Sequence, residues 1–184
     1  VLEAPVDLLY FGGIGTYVRA SSEEDAAVDD RANAEVRVEG RDVRARIVGE
    51  GANLALTQRA RIEVARRGAR INVDAIDNSA GVDCSDHEVN LKVLLDQLVS
   101  DGELTVKQRN ELLVEMTDDV AQLVLDDNRA QTLALMIART QSLSMVNVHA
   151  RYLDTLEAEG YLDRHLEFLP TDKQIAERQA GGSG

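Results

Sequence analysis

The stretch VRARIVGEGANLALTQRARIEVARRGARINVDAI, from Val43 to Ile76, decides the fold class. It opens with alternating apolar and polar residues over Val43–Val48, which is typical of a strand with one solvated face. A glycine turn follows, then helical spacing over Gln58–Arg67 that Gly68 would end, then a second alternation over Arg70–Ile76. Strand, turn, helix and strand in this order predict a βαβ unit, and therefore an α/β fold with a parallel sheet.

Two further strand patterns lie upstream of this stretch. An apolar run over Val6–Phe11 stops at Gly12 and Gly13, which we expect to form a loop at the end of a buried parallel strand. Glu35–Val38 and Val43–Val48 both alternate apolar and polar residues, with a short glycine-containing turn between them. This pair predicts a β-hairpin, or a strand pair with one solvated face.

Downstream of Ile76 the pattern becomes helical. Ser85 and Glu88 have the spacing of a capping box, and Thr105 and Gln108 repeat that spacing ahead of a second helix. A third helical pattern covers residues 129–159, and a kink is predicted where polar residues interrupt its middle, at Ser142, Ser144 and Asn147. From Pro170 to Gly184 the composition is that of a linker.

Charge and composition restrict the classes of function. The 184 residues carry a net charge of −13, so nucleic acid and anionic membrane surfaces are unfavourable partners. No apolar run approaches the roughly 18 residues that a membrane helix needs, and no signal peptide is visible. A single Cys fits a reducing compartment, so we expect a cytoplasmic protein. Because the first residue is Val1, we also expect a piece of a longer chain.

The segment IDNSAGVDCSDHE, from Ile76 to Glu88, concentrates the residues that can perform chemistry. A metal site is disfavoured, because adjacent helical residues do not face one another and the sequence has no second His or Cys cluster. Cys84 and His87 could form a nucleophilic pair, since a helix N-terminus lowers a thiol pKa. In the simplest alternative Cys84 fills space and Ser85 only caps the helix.

An anion site at the same place requires fewer assumptions. A strand end, a glycine turn and a helix N-terminus together would leave several N–H groups free, and the helix dipole would favour negative charge there. Asn78 would supply a donor and an acceptor at the carboxyl end of the strand, and Ser85 would supply a hydroxyl. Asp83 and Asp86 oppose this interpretation unless their side chains point away.

Three motifs in order resemble the late coenzyme domain of glutamate dehydrogenases. They are Gly49-Glu50-Gly51-Ala52-Asn53, then Asn78-x-x-Gly81-Val82, then Ser85, seven residues after Asn78. The phrases PVDLLYFGGIGTYV and DNSAGVDCSDHEVN are similar to the large-subunit, NAD-specific bacterial type. The resemblance covers residues 5–170. It implies a partial Rossmann-like, doubly wound sheet followed by a helical segment.

The resemblance also implies roles for particular residues. Asn53 would lie at the nicotinamide end of NAD, and Asn78 at the junction of coenzyme and substrate. Ser85 would help to hold the side-chain carboxylate of the substrate, L-glutamate or 2-oxoglutarate. Gly12 and Gly13 would face the coenzyme from a strand end. Residues 1–100 would then be the C-terminal part of a dinucleotide-binding domain, 101–169 a helical segment and 170–184 a linker.

Several family features are missing from the sequence. The G-x-G-x-x-G phosphate loop, the Lys that polarises the 2-oxo group and the Asp that relays protons would lie upstream. We therefore expect no catalytic residue here and no dehydrogenase turnover from these residues alone. The partners would be the rest of the parent polypeptide and further copies in a homo-oligomer. Two alternatives remain open: another amino-acid dehydrogenase of the same superfamily, and a non-catalytic helical interaction module.

Overall fold

The structure, a computed structural model, describes residues 1–181. Strands occupy only the first part of these residues and helices dominate the rest. The strands are β1 (Leu8–Phe11), β2 (Val18–Arg19), β3 (Val38–Glu39), β4 (Ile47–Glu50) and β5 (Arg70–Ile71). The α-helices are α1 (Gln58–Arg66), α2 (Asp74–Asp77), α3 (Asp83–Ser100), α4 (Val106–Glu115), α5 (Thr117–Gln141), α6 (Val146–Ala158) and α7 (Asp172–Ala180).

Strand β4 lies at the centre of a three-stranded parallel sheet with the order β1-β4-β5. Phe11 at the end of β1 pairs with Glu50 at the end of β4, so both strands finish at the same edge. The order β4-α1-β5 confirms the predicted βαβ unit, and β1 confirms the predicted upstream strand. The α/β class is therefore correct for this part of the chain.

Helix α1 begins and ends where its sequence signals predict. The Thr57 side chain accepts a hydrogen bond from the Ala60 amide at 3.1 Å, which satisfies one of the free N–H groups of the first turn. Gly68, just past the end, has a φ of +102°, a conformation that side chains other than glycine rarely adopt. The helix therefore turns back into β5 within a few residues.

The core lies between the sheet and α1. Val48 of β4 and Val64 of α1 are almost fully buried, and Leu56 joins the sheet to β2 through a bridge with Val18. Aliphatic residues supply nearly all of the core, as the low aromatic content requires. Its members are Leu9, Phe11, Val18, Val43, Ala45, Val48, Ala55, Leu56, Ala60 and Val64.

The predicted hairpin between 35–38 and 43–48 is wrong. β3 pairs in parallel with β2, and β4 pairs in parallel with β1 and β5, so the two segments do not pair with each other. A 3-10 turn over Gly40–Asp42 separates them. The alternation of the sequence is nevertheless real, because Val43 and Ala45 are buried while Arg44 and Arg46 are exposed. The alternation indicates that one face of the segment is buried, but it does not indicate which strand the segment pairs with.

The strand predicted over Arg70–Ile76 stops at Ile71. Asp74–Asp77 forms the short helix α2 instead, and its two carboxylates accept backbone amides from Leu54 of the loop after β4 at 2.7 Å and from Glu50 at the end of β4 at 3.0 Å. Asn78 consequently lies at the C-terminus of α2 and not at the end of a strand. Asn78 is therefore positioned at the sheet edge by helix α2 and not by a strand of the sheet.

The long helices follow the predicted capping and kink signals in two of three places. Thr105 and Gln108 form the predicted capping box of α4, with both reciprocal hydrogen bonds present. The helical pattern also breaks in the predicted polar region, between the end of α5 at Gln141 and the start of α6 at Val146. The third signal, at Ser85, is wrong, as described with the site below.

The chain divides into two compact units, residues 1–132 and the residues from Leu133 onwards. In the second unit the buried guanidinium of Arg164 joins α6 to the N-terminus of α7. It donates to Asp172 at 2.7 Å and also to Asp154, and it forms an ion pair with Glu157 at 2.8 Å. The carboxylate partners raise the pKa of Arg164 above its ordinary value. Three acceptors thus neutralise one buried charge.

Helix α7 lies where the sequence predicted a linker, and residues 182–184 of that prediction lie outside the described residues. Helices of residues 1–181 are all too short or too polar to span a lipid bilayer.

Candidate functional site

The candidate residues gather at the carboxyl-end edge of the sheet. Gly12 and Gly13 follow the last residue of β1, and the loop 51–56 follows the last residue of β4. Asn78 reaches the same edge from the end of α2. In open α/β proteins this edge is where ligands bind, because loops with free backbone groups converge there.

The structure brings two of the predicted residues into direct contact. The Asn78 side chain donates from Nδ2 to Oδ1 of Asn53 at 2.7 Å, although the two residues are 25 positions apart. Asn53 is exposed and Asn78 is half-buried. The bond uses one donor and one acceptor, so the Asn53 amide nitrogen and the Asn78 amide oxygen remain available to a ligand.

Asn78 can hold this position because residue 81 is glycine. A Cβ placed on Gly81 would lie 2.6 Å from Oδ1 of Asn78 and 3.1 Å from its amide nitrogen. Helix α5 fixes the same turn from the other side, since Asn128 donates to the carbonyl oxygen of Ile76 at 2.6 Å and to the Ser79 hydroxyl at 3.1 Å. The turn that carries Asn78 is therefore restrained at both ends.

The loop that carries Asn53 is tied down at alternate backbone amides. Ala52 donates to the carbonyl oxygen of Phe11 at 3.0 Å, Leu54 to Asp74 at 2.7 Å and Leu56 to Glu50 at 3.1 Å. Leu54 has a φ of +63°, so the loop also contains a strained residue that these bonds hold in place. Asn53 lies between two of the anchored amides.

A buried ion pair supports this loop from below. Glu50 is fully buried, and Arg61 of α1 binds both its carboxylate oxygens, at 2.6 Å and 3.0 Å. Arg61 also reaches Asp74 at 3.0 Å. Burial would lower the pKa of Arg61, but the hydrogen bond and charge of Glu50, together with Asp74, outweigh it and raise the pKa above its ordinary value. The guanidinium therefore stays charged.

The glycines on both sides of Glu50 make room for Tyr10. The exposed ring of Tyr10 lies over the backbone of β4, and a Cβ on Gly49 would lie 3.2 Å from it. A Cβ on Gly51 would overlap the Tyr10 hydroxyl. The spacing G-E-G thus has a packing reason within this chain, independent of any ligand.

The predicted start of α3 is wrong. Helix α3 begins at Asp83 with Val82 as N-cap, and Ser85 is its third residue and caps nothing. The amides of Val82, Asp83 and Cys84 already donate to the carbonyl oxygens of Asn78 and Ser79 at 2.9–3.0 Å. These three N–H groups are therefore not free, and the predicted anion site at the helix N-terminus is not formed by them.

Ser85 nevertheless presents an available side chain. The residue is exposed, and within residues 1–181 its hydroxyl has no hydrogen-bond partner. It follows Asn78 by seven residues, and the backbone amides of Val82 and Asp86 donate to the carbonyl oxygens of Asn78 and Val82 within that interval.

Comparison with known proteins shows the family of the chain. Residues 1–138 match the family described as "Bacterial NAD-glutamate dehydrogenase, catalytic domain". The chain belongs to this family. All 184 residues align with proteins named "NAD-specific glutamate dehydrogenase", at 53% identity in Halomonas elongata, 54% in Pseudomonas aeruginosa and 53% in Mycobacterium tuberculosis. The chain spans 11% of the length of each of these relatives.

In this member of the bacterial NAD-glutamate dehydrogenase family, four charged residues that were not predicted from the sequence support the loop that carries Asn53. They are the buried or half-buried charges beneath the Asn53 loop: Glu50, Arg61, Asp74 and Asp77. Two signals were available, since Glu50 stands inside the quoted motif and Asp74 and Asp77 are spaced for one helix face. Nothing in the sequence indicated that Arg61 would turn inward from α1.

The structure does not support Cys84 and His87 as a nucleophilic pair. Cys84 contacts Glu88 at 3.8 Å, and burial followed by the charge of Glu88 raises the thiol pKa, opposite to the predicted direction. His87 instead lies between two carboxylates, 3.4 Å from Asp83 and 3.5 Å from Asp127 of α5. The three side chains each offer one atom that could bind a metal ion, and these atoms lie within 4.8 Å of one another.

Proposed function

We propose that this chain forms part of the coenzyme and substrate pocket of an enzyme that oxidises L-glutamate with NAD. The products would be 2-oxoglutarate, ammonium and NADH. The observation that carries the proposal is the Asn53–Asn78 hydrogen bond at the ligand-binding edge of a parallel sheet, in a chain that belongs to the glutamate dehydrogenase family. NAD, when bound, accepts the hydride that leaves the α-carbon of glutamate.

The two asparagines have the groups that a nicotinamide carboxamide requires. The Asn53 amide nitrogen can donate to the carboxamide oxygen, and the Asn78 amide oxygen can accept from an amino group. Their mutual hydrogen bond fixes both amide planes before a ligand arrives, which reduces the entropy lost on binding. We assign Asn53 to the coenzyme and Asn78 to the junction of coenzyme and substrate.

Ser85 suits the carboxylate at the far end of the substrate. Only the turn over residues 78–82 and the first residues of α3 separate Ser85 from Asn78. A glutamate molecule whose amino acid end lies near Asn78 would extend toward Ser85. The hydroxyl can donate one hydrogen bond to the substrate carboxylate.

Gly12 and Gly13 leave the end of β1 open to the coenzyme. Both glycines are exposed, and a Cβ on Gly13 would meet no atom within 4 Å. A Cβ on Gly12 would make only ordinary contact with Tyr10, at 3.5 Å. Packing within this chain therefore does not require glycine at either position, which favours close approach of a ligand.

The remaining proposals concern the whole protein. The parallel sheet would be part of a larger doubly wound, Rossmann-like sheet, with residues 1–100 in the dinucleotide-binding domain and 101–169 in a helical segment that α7 follows. The rest of the parent polypeptide would supply the other walls of the pocket, as the 11% coverage of the relatives suggests. The parent enzyme would be a cytoplasmic homo-oligomer.

Substituting Ser85 in the intact dehydrogenase tests the proposed substrate contact. Ser85→Ala is expected to raise the KM for glutamate about 10- to 100-fold, which corresponds to one hydrogen bond to a charged group, about 1.5–3 kcal/mol. The KM for NAD should change much less. Ser100→Ala, at the other end of α3, is the matched control because within residues 1–181 its hydroxyl bonds only to the Asp96 carbonyl oxygen. Equal effects of Ser85→Ala on both substrates would contradict the assigned role.

A further inference from the structure

The buried charges beneath loop 51–56 form a clamp on the loop's backbone. Glu50 stands immediately before the loop, yet its carboxylate accepts the amide of Leu56 at the far end of the loop. One side chain therefore closes the loop onto itself. A fully buried carboxylate needs a fixed counter-charge, and Arg61 supplies that charge to Glu50 with two hydrogen bonds.

Arg61 extends the clamp to the tip of the loop. Its second terminal nitrogen lies 3.0 Å from an oxygen of Asp74, and that same oxygen accepts the Leu54 amide at 2.7 Å. The guanidinium is thus the common partner of both carboxylates that hold the loop amides on either side of Ala55. Asn53 is adjacent to Leu54 in the chain, so the direction of its side chain depends on these bonds.

We infer that Arg61 is a positioning residue for the coenzyme, which acts through Glu50 and Asp74 on the orientation of Asn53. The inference rests on the proposed function of Asn53. Arg61 itself is 92% inaccessible to solvent, its relative exposure being 8%, and it touches no ligand in this assignment. Its contribution is to hold the Asn53 amide in the direction that the coenzyme carboxamide needs, before the coenzyme binds.

The choice of variant matters because the ion pair is buried. Replacing Arg61 by an apolar residue would leave the Glu50 carboxylate without its partner, and such a protein can fail to fold. Arg61→Lys keeps the positive charge but cannot bridge both carboxylates with the planar fork of a guanidinium. Asp74→Asn keeps an acceptor for the Leu54 amide and removes the charge that attracts Arg61. These two variants weaken the clamp from different sides.

The experiment is a double-mutant cycle between Arg61 and Asn53 in the intact enzyme, with NADH binding measured by fluorescence titration. Asn53→Ala is expected to weaken NADH binding about 3- to 10-fold, and Arg61→Lys about 2- to 5-fold. If Arg61 acts through Asn53, Arg61→Lys has no further effect in the Asn53→Ala background. Arg66→Lys, exposed on the same helix, is the control and should bind NADH like the wild type.

Two further measurements separate positioning from general stability. Hydrogen exchange should become faster at the amides of Ala52, Leu54 and Leu56 in Arg61→Lys and in Asp74→Asn, and should not change in Arg66→Lys. The KM for NAD should rise in both clamp variants while the KM for glutamate stays within about twofold of wild type.

The outcomes distinguish this inference from the proposed function. Effects of Arg61→Lys and Asn53→Ala that multiply, or an unchanged NADH affinity in Arg61→Lys, would overturn the positioning role and leave the proposed function standing. An unchanged NADH affinity in Asn53→Ala would overturn the proposed function and, with it, the role of Arg61.

Discussion

At the scale of single residues, the site depends on two amide side chains that restrain each other. Isolated asparagine side chains rotate freely on a surface, and their hydrogen bonds with water compete with those to a ligand. The bond between Asn53 and Asn78 removes that freedom at the place where the two loops meet. Gly81 is the residue that permits it, since any larger side chain would occupy the space of the Asn78 amide.

Gly81→Ala therefore tests the asparagine pair without changing either asparagine. The added methyl group would approach Oδ1 of Asn78 to 2.6 Å, so the side chain must swing away and lose its bond to Asn53. NADH binding by the intact enzyme should weaken about 3- to 10-fold, the loss expected for one hydrogen bond. Substitution of the exposed neighbour, Ala80→Ser, is the control. Wild-type affinity in Gly81→Ala would show that the pair is not needed for coenzyme binding.

The sequence predicts the residues of the asparagine pair, but it does not predict the buried charges beneath them. Asn53, Asn78 and Gly81 could be named in advance because the quoted motifs fix their order and spacing. The clamp beneath them could not, because a charged residue such as Arg61 has the same appearance in a sequence whether it is buried or exposed. Burial of a charge is decided by partners that are distant in the chain, here Glu50 and Asp74.

At the scale of elements, short-range signals succeeded where the element is closed by its own residues. Helix α1 has its cap and its terminal glycine in adjacent sequence, and α4 has its capping box. The prediction of a hairpin was wrong because β3 and β4 pair with strands from distant parts of the chain. The prediction that α3 starts at Ser85 was wrong because carbonyl oxygens of the preceding turn, and not the Ser85 side chain, accept hydrogen bonds from the first amides of the helix. A local sequence pattern does not show which residues elsewhere in the chain will pair with a strand or bind the first amides of a helix.

The segment between β1 and β3 is held by side chains more than by regular structure, and this makes it sensitive to acid. The Asp30 carboxylate accepts the Thr16 amide at 2.7 Å and the Asn33 side chain at 2.8 Å. The hydrogen bond from Thr16, followed by those from Asn33, lowers the pKa of Asp30 below its ordinary value of 3.8. A lowered folded-state pKa stabilises the fold above the unfolded-state value, and the stabilisation is lost as the pH falls through the folded-state value.

We therefore expect Asp30→Asn to flatten the acid dependence of stability. The free energy of unfolding of the wild-type chain should fall as the pH drops below about 4, and this fall should be smaller in Asp30→Asn. Urea unfolding followed by circular dichroism between pH 3 and pH 6 measures the difference. Asp29→Asn is the control, since it removes the same charge one residue away but none of the bonds to Thr16 and Asn33. Identical pH profiles for both variants would refute the role of Asp30.

At the scale of the whole molecule, the proposed function gives the chain one part of a reaction centre. It provides a parallel sheet edge, an ordered loop and an asparagine pair, which can bind and orient ligands. Glutamate oxidation further needs a cationic group close to the 2-oxo oxygen and a group that moves protons. The resemblance to glutamate dehydrogenases implies a Lys and an Asp in these roles, so the lysines of this chain decide whether it could act alone.

The positions of the lysines lead to the last prediction, that the 184-residue chain has no dehydrogenase activity by itself. All three lysines lie on exposed helical surfaces and pair with acids one turn away: Lys92 with Glu88 at 3.0 Å, Lys107 with Glu111 at 3.7 Å and Lys173 with Glu177 at 3.9 Å. These amines stand in solvent, so they lack the desolvated setting that polarises a carbonyl group. NADH formation from glutamate and NAD, followed by absorbance, should equal the rate without protein. The intact enzyme under the same conditions is the positive control, and a rate that rises in proportion to the amount of purified chain would mean that this chain contains a complete catalytic group.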